Sequence, residues 1–248
     1  MEELERRVEN YWTLRAKDFS TVRRNELRDG ITSRWLCELE RFLPAGKALD
    51  VLDVGTGTGY FAIILSRAGH RVTGIDLTEA MLEEAAVTAR EYGVFPRFLR
   101  MDAQRTDFAD GSFDAVVTRN LTWTLPDPAQ GYREWYRLLR PGGVLLNFDA
   151  DYAQNVRNEN QEKSYIPPTG VYGHIGVTPE LKAENASITL SMPAGAHARP
   201  GWDLDLAAAA GFQSCSADPT AGARILRERD LSDAPLFLLR AVKPVETV

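Results

Sequence analysis

The feature that most constrains the fold is a short apolar run that ends in closely spaced glycines. Residues 49–61 read LDVLDVGTGTGYF. The apolar part, residues 49–54, is rich in valine and leucine and is bounded by polar and glycine-containing stretches, which predicts a buried parallel strand. Gly55, Gly57 and Gly59 then follow at alternate positions. Because glycine has no Cβ, this loop permits tight torsions and lets a ligand approach the main chain. The alternative is that the glycines only close a turn.

Strand-like and helix-like segments alternate along most of the chain. The predicted strands are 49–54, 71–75, 96–100, 113–118, 143–149, 212–217 and 236–242. The predicted helices are 2–17, 24–42, 59–68, 78–91, 127–139 and 203–210. This order is typical of consecutive strand–helix–strand units. We therefore predict an α/β fold, with a doubly wound, mostly parallel seven-stranded sheet and helices on both faces.

Two parts of the chain stand apart from this alternation. Residues 1–44 are predicted to form N-terminal helices that cover the cofactor and substrate site, and residues 45–248 to form the α/β domain. Within that domain, residues from about 150 to 200 are polar, punctuated by glycine and proline, and without sustained periodicity. Such a stretch is too long for an ordinary connection, so we expect either an inserted lid or a partly ordered excursion.

Composition and charge exclude several classes of function. Lysine and arginine number 29 against 35 acidic residues, for a net charge of −6, so a nucleic-acid backbone is not an expected partner. Cys37 and Cys215 are far apart and outside any CxxC pair, which gives no support to a disulfide framework or a zinc site. No apolar stretch is long enough for a membrane span, and the N-terminus has no apolar leader. We expect a soluble, cytoplasmic protein.

Acidic residues stand at the carboxyl ends of three successive predicted strands. Asp53 precedes the first glycine by two residues, where it would repel a pyrophosphate and attract an ammonium group. Position 60, where a dinucleotide fingerprint has its third glycine, is Tyr60. Asp76 can accept both hydroxyls of a ribose, and Asp102 can accept from the exocyclic amine of adenine. Together they indicate a nucleoside with a cationic tail, although Asp76 as a helix cap and Asp102 as a solvated acid remain alternatives.

At this point the chain resembles a known family. It has D-V-G-T-G-T-G at 53–59, G-I-D-L-T at 74–78, M-D-A at 101–103 and L-R-P-G-G at 139–143. In these motifs it is similar to the class I S-adenosylmethionine-dependent methyltransferases, which are Rossmann-like. The similarity covers about residues 45–150, and A-G-F at 210–212 extends it. It implies methyl transfer from S-adenosyl-L-methionine, with S-adenosyl-L-homocysteine as the product.

The resemblance also implies where the cofactor binds. The loop residues would hold the methionyl part, Asp76 the ribose, Asp102 with Ala103 the adenine, and Arg119 or Asn120 the sulfonium side. The N-terminal helix, which carries Tyr11, Trp12, Arg15 and Phe19, would lie over the cofactor, with an aromatic or arginine side chain that reaches its carboxylate. The alternative is a helix that only packs on the sheet. The implied cofactor-binding residues are Tyr11, Asp53, Gly55, Thr56, Gly57, Gly59, Asp76, Leu77, Met81, Asp102, Ala103, Arg119 and Asn120.

The segment after the fourth strand is predicted to face the reacting methyl group. DNA and RNA amino-methyltransferases carry there an Asn or Asp, two prolines and an aromatic residue, whereas this chain has Asn120-Leu-Thr-Trp123. Because the prolines are missing, a nucleobase amine is a poor candidate acceptor. Trp123, Tyr152 and Tyr172 are the predicted acceptor pocket. For Trp123, a cation–π contact with the sulfonium and ordinary core packing are the alternatives.

Candidates for acid–base chemistry are few. His174, Asp149 and Asp151 are predicted to orient or deprotonate the acceptor, with a solvated histidine and solvated strand-end acids as the alternatives. His70 and His197 have weaker claims. We expect no metal, because the third strand offers only Asp102 of the acids and Asn that catechol methyltransferases place around magnesium.

The leading hypothesis is a methyltransferase that acts on a small molecule, since helices and the 150–200 segment enclose the site. The sulfonium is already activated, so the protein would contribute chiefly alignment, and a base is needed only if the acceptor must lose a proton. Two rivals remain: a protein or peptide methyltransferase, which would have an open groove, and a non-catalytic regulatory protein that binds the cofactor.

Overall fold

The computed structural model describes residues 2–161, 175–230 and 234–245. Its centre is a seven-stranded sheet in the order β3-β2-β1-β4-β5-β7-β6, in which β7 is antiparallel to both neighbours and the other pairs are parallel. The strands are β1 (Asp50–Val54), β2 (Arg71–Asp76), β3 (Arg97–Arg100), β4 (Phe113–Arg119), β5 (Leu139–Asp149), β6 (Gln213–Asp218) and β7 (Phe237–Val242). The predicted fold class is confirmed.

Helices lie on both faces of this sheet. They are α1 (Glu2–Arg28), α2 (Ile31–Glu40), α3 (Tyr60–Arg67), α4 (Glu79–Glu91), α5 (Pro128–Leu138), α6 (Tyr152–Gln161), α7 (Pro179–Ser191), α8 (Gly201–Ala209) and α9 (Ala221–Ile225). One core cluster, around Trp35, Phe61 and Phe148, packs α2 and α3 on one face. The other, around Tyr132 and Trp135, packs α5 and α8 on the opposite face. Because both faces are covered, ligands have access mainly at the strand ends.

The N-terminal helices differ from the prediction. We expected a break between residues 17 and 24, but α1 continues without interruption to Arg28. The intervening residues contain neither proline nor glycine, so nothing in the backbone ends the helix there. The break comes at Asp29 and Gly30, and α2 begins at Ile31. The long α1 packs along α4, where Arg24 bonds to Glu91 at 2.9 Å.

The described residues of the 150–200 segment, 150–161 and 175–200, are more regular than their sequence suggested. It contains α6 and α7, and α7 begins with a hydrogen bond from the Leu181 amide to the Thr178 hydroxyl at 3.2 Å. Pro179 occupies the first turn, where its missing N–H costs nothing. Helix α7 is tied to α1 by Arg7, whose guanidinium donates to both Glu184 oxygens at 2.7 and 3.0 Å. Whether this segment opens and closes as a lid remains a prediction.

Candidate functional site

The glycine loop joins β1 to α3 at the carboxyl edge of the sheet. Gly57 has φ +53°, in the left-handed region that favours glycine. A Cβ at this position would lie 3.6 Å from Cε1 of Phe19, so the Phe19 ring of α1 stands directly over the loop. At Gly55, φ is +64° and a Cβ would lie 2.7 Å from Cδ1 of Leu121. Only glycine therefore keeps this approach to the main chain open.

Asp53 is a buried carboxylate with one oxygen committed to the protein. Its Oδ2 accepts from the Thr56 hydroxyl at 2.6 Å and from the Ala62 amide at 3.0 Å. Its Oδ1 accepts no hydrogen bond from the described residues. Burial raises the pKa of Asp53 to about 7, and the two hydrogen bonds oppose that shift. A cation in the adjoining cavity would favour the ionised form.

Asp76 and Asp102 end the next two strands. Asp76 accepts from the backbone amides of Gly57 and Thr78, each at 2.9 Å, so it links the glycine loop to the end of β2. Burial raises the pKa of Asp76, and these hydrogen bonds work against the rise. Asp102 accepts from the Gln104 amide at 2.9 Å through Oδ1, and the described residues donate nothing to Oδ2. Both carboxylates retain acceptor capacity toward a ligand.

These residues lie around a single cavity of about 1190 Å³ that extends from the glycine loop to α1, α6 and α7. The predicted residues in its wall are Tyr11, Asp53, Gly55, Thr56, Gly57, Asp76, Leu77, Met81, Asp102, Ala103, Arg119, Asn120, Trp123 and Tyr152. Gly59 is outside the wall, since a Cβ there would meet Ala85 and Phe98, each at 3.0 Å. The predicted Tyr172 and His174 lie outside the described residues.

The acids at the end of β5 are hydrogen-bonded to other protein groups. Asp149 is fully buried and receives hydrogen bonds from the Thr122 hydroxyl and from Nη2 of Arg199 at 3.0 Å. Burial raises the pKa of Asp149, although the Arg199 charge lowers it. Asp151 accepts from the Gln154 amide at 3.0 Å in the first turn of α6. Neither carboxylate lies in the cavity wall, and the contact of Asp149 or Asp151 with an acceptor stays a prediction.

Arg199 makes the Asp149 region a structural cluster. Its guanidinium also bonds to Asp203 at 2.8 Å, and both side chains are almost completely enclosed. The cluster lies directly behind Trp123, whose backbone amide donates to Asp149 at 3.2 Å. The Trp123 ring forms part of the cavity wall and lies 5.2 Å from that of Tyr152, between ring centres. The buried charges therefore hold an aromatic wall in place.

Arg119 and Asn120 follow β4. The Arg119 guanidinium bonds to both oxygens of buried Glu26 at 2.9 and 3.2 Å and lies 4.2 Å from the centre of the Trp35 ring. Arg23 of α1 bonds to the same carboxylate. A guanidinium beside a sulfonium is repelled, so Arg119 suits an anionic group better than the sulfonium predicted for it. Asn120 has φ +57°, and its buried Oδ1 has no partner among the described residues.

Sequence reasoning missed the contribution of α7 to the site. Thr178, Lys182, Asn185 and Thr189 belong to the cavity wall, on the side opposite the glycine loop. The residues around them were interpreted as irregular because they lack an apolar period. The Thr178-Pro179 pair was the available signal, since a threonine followed by proline is a common helix start.

Two kinds of feature are absent from residues 2–161, 175–230 and 234–245. There, no three His, Cys, Asp or Glu side chains are grouped as a metal ion would require. Over the same ranges, every helix is too short or too polar to cross a membrane.

The strand order, the glycine loop and the row of strand-end acids define a class I methyltransferase fold. Residues 52–147 match a family model described as methyltransferase domain. This match agrees with the predicted resemblance to the class I S-adenosylmethionine-dependent methyltransferases and with the assignment of the α/β domain to their fold.

Individual relatives agree with this assignment. The ubiquinone biosynthesis O-methyltransferase of Pseudomonas paraeruginosa is 39% identical over 108 residues, which cover 43% of this chain and 46% of that protein. The chain spans less than half the length of the curated relatives it matches. Two solved structures share the fold. The PH0226 protein of Pyrococcus horikoshii has a TM-score of 0.58 at 18% identity, covering 85% of this chain and 88% of that one. Phosphoethanolamine N-methyltransferase 2 of Haemonchus contortus, in complex with S-adenosyl-L-methionine, has a TM-score of 0.59 at 22% identity, covering 84% and 52%.

Proposed function

We propose that this protein transfers the methyl group of S-adenosylmethionine to a small-molecule acceptor held inside the cavity. The observation that carries the proposal is that one continuous cavity extends from the glycine loop to the helices that enclose it, α1, α6 and α7. Its volume of about 1190 Å³ exceeds that of a typical site for one small ligand, which is roughly 300 to 1000 Å³. There is room for a cofactor and a second molecule.

The residues that line the cavity near the glycine loop fit the cofactor. Asp53 offers a free carboxylate oxygen to the methionyl ammonium, and Asn120 offers an unpaired amide oxygen. Asp76 and Asp102 have acceptor capacity for the ribose and the adenine amine. Arg119, together with Arg23 of α1, supplies positive charge for the methionyl carboxylate. When bound, S-adenosylmethionine supplies a methyl group on an activated sulfonium.

The chain's own contribution is orientation and the exclusion of water. Phe19 covers the glycine loop from above, and the tilted pair of Trp123 and Tyr152 closes the wall beyond β4. Correct alignment of two bound reactants can contribute on the order of 7 to 11 kcal/mol. Burial raises the pKa of Tyr152, so its phenol stays protonated at neutral pH and orients an acceptor instead of removing its proton.

A small acceptor is favoured over a protein or peptide. Helix α1 is joined to α7 and the residue after it by the Arg7–Glu184 pair and by a cluster of Tyr11, Ile188 and Met192. These contacts close the side of the cavity that a peptide groove would leave open. The names of the relatives, which include ubiquinone biosynthesis and phosphoethanolamine enzymes, also refer to small molecules.

Calorimetric titration with S-adenosylmethionine, S-adenosylhomocysteine and NAD tests the cofactor first. We expect micromolar binding of the two adenosyl ligands and none of NAD, and a folded sample that binds neither adenosyl ligand would refute the proposal. Incubation with methyl-labelled S-adenosylmethionine and a size-fractionated cell extract then tests the acceptor. Label in the low-mass fraction supports a small molecule, whereas label confined to protein would establish the peptide alternative.

A further inference from the structure

Arg15 is a buried cation in the cavity wall. The residue lies on α1 and is 2% exposed. Its Nη1 donates to the backbone carbonyl of Ile175 at 2.6 Å. Its Nε is also buried, and no group within the described ranges accepts a hydrogen bond from it. The Nε–H group of the guanidinium therefore lacks the partner that a buried donor requires.

The charge of Arg15 is only weakly balanced by the surrounding protein. Within the described part of the chain, Asp18 is the one carboxylate within 4.0 Å, with its Oδ2 3.6 Å from Nη1. The Asp18 side chain is 42% exposed, so solvent screens this pair. The Tyr11 hydroxyl also interacts with Arg15 by a side-chain hydrogen bond, but burial raises the pKa of Tyr11 despite this bond and the Arg15 charge, so it remains neutral. A buried guanidinium with so little compensation favours an anionic ligand.

The position of Arg15 along α1 separates it from the methionyl site. Phe19 marks the point where α1 passes over Gly57. Arg15 precedes Phe19 by four residues, which is about 6 Å along a helix, in the direction of Tyr11 and α7. Arg23, which bonds to Glu26, lies one turn on the other side of Phe19. The methionyl carboxylate therefore has cationic side chains available elsewhere, and Arg15 faces the part of the cavity left for the acceptor.

The surroundings of Arg15 also restrict the body of the acceptor. Val8, Tyr11 and Trp12 lie in the same stretch of the wall, and the Tyr11 and Trp12 rings meet edge to face at 5.1 Å. Such a surface suits an apolar or aromatic body. On the basis of the proposed function, we propose that Arg15 binds a carboxylate on the methyl acceptor, which is therefore an acid with an apolar or aromatic body. A carboxylate at the edge that includes Nε would form the two-pronged pair typical of arginine.

Matched acid and amide probes test this proposal without knowledge of the natural acceptor. The protein, saturated with S-adenosylhomocysteine, is titrated with benzoate, 2-naphthoate and octanoate and with the corresponding amides. We expect the acid of at least one pair to bind about tenfold more tightly than its amide, as for one charge-assisted hydrogen bond. Arg15→Met should abolish this preference, and Arg15→Lys, which keeps the charge, should restore part of it. Arg7→Met is the control, because Arg7 connects α1 to α7 through Glu184 but lies outside the cavity wall.

The outcomes separate the possible roles of Arg15. If wild-type protein prefers no acid in any pair, or if Arg15→Met retains the preference, the proposal is wrong. Titration of Arg15→Met with S-adenosylhomocysteine and with 5′-methylthioadenosine, which lacks the carboxylate, examines the cofactor. Unchanged affinity for both supports an acceptor role, whereas weaker binding of S-adenosylhomocysteine alone would assign Arg15 to the cofactor and overturn the proposal. Wild-type protein that fails to bind S-adenosylhomocysteine would instead refute the proposed function itself.

Discussion

Replacement of Asp53 by Asn should remove most of the pH dependence of S-adenosylmethionine binding. The carboxylate is 2% exposed, and burial raises its pKa to about 7 in the absence of ligand. The free Oδ1 is the atom available to the methionyl ammonium. Because a cation stabilises the ionised carboxylate, binding and deprotonation of Asp53 are linked, and the affinity should rise with pH until the carboxylate is fully ionised.

The size of the effect follows from the pKa. A carboxyl group with a pKa of about 7 is roughly 3% ionised at about pH 5.5 and half ionised at about pH 7. The affinity should therefore increase roughly fifteenfold over this interval, which corresponds to between about 1 and 2 kcal/mol. The α-amino group of the ligand stays mostly protonated here, since its ordinary pKa is about 7.7 to 8.0.

Isothermal titration of wild-type protein and of Asp53→Asn across this pH interval measures the effect. Asn keeps an oxygen for the Thr56 and Ala62 hydrogen bonds, so the loop should be preserved. 5′-Methylthioadenosine, which has neither the ammonium nor the sulfonium, should bind wild-type protein with little pH dependence. If Asp53→Asn retains the wild-type slope, or if the wild-type affinity is flat, the assignment of Asp53 to the cationic part of the cofactor is refuted.

The same raised pKa has a consequence for stability in the absence of ligand. The folded protein holds the Asp53 proton more tightly than the unfolded chain does. The contribution of Asp53 to stability is therefore fully present below about pH 4 and is lost as the pH rises through about 7. Urea unfolding at several pH values should show Asp53→Asn gaining stability relative to wild type as the pH rises, and a constant difference would contradict this.

Three further substitutions test other parts of the site. Asp76→Ala should weaken S-adenosylmethionine binding by about 1.5 to 3 kcal/mol, as for hydrogen bonds to a charged group, and unchanged affinity in a titration would exclude the ribose role. Gly57→Val should nearly abolish binding, because the valine side chain would fill the gap between the glycine loop and the Phe19 ring. Tight binding by this variant would place the cofactor elsewhere. Arg199→Met should lower the free energy of unfolding by about 3 to 5 kcal/mol, since it leaves buried carboxylates unpaired. Arg133→Met, at a side chain 55% exposed, should change it by less than about 0.5 kcal/mol, and equal effects of these two variants in urea would argue against the buried cluster.

The prediction of the α/β domain succeeded where local sequence and tertiary structure agree. The β1 run and the glycines after it specify a strand, a tight turn and a helix within a dozen residues, and the structure has β1, the loop and α3 there. Parallel strands place their carboxyl ends at one edge, so Asp53, Asp76 and Asp102 were expected to share a site, and they lie around one cavity. The position of each acid at the end of its own strand was sufficient to predict this shared site, because ligands of such folds bind at the carboxyl ends of the strands.

Contacts between distant parts of the chain were not predictable in this way. Asp149 has the sequence context of a site acid, yet Arg199, 50 residues away, encloses it in a buried ion pair. Arg119 likewise bonds to Glu26, 93 residues away, which changes the kind of group it can face. Whether a strand-end charge contacts a ligand or a protein group depends on what the fold brings against it.

The sequence alone determined the order of elements, the glycine loop and the family resemblance, because these depend on spacing within short segments. The tertiary structure decided which polar groups are satisfied by protein. Among the described residues, it paired Asp149 with Arg199, gave Oδ1 of Asp53 no donor, and buried Arg15 against Ile175, 160 residues away, with no acceptor for Nε. The physical reason is that burial and hydrogen bonding are properties of the whole packed chain, whereas helix and strand signals are local.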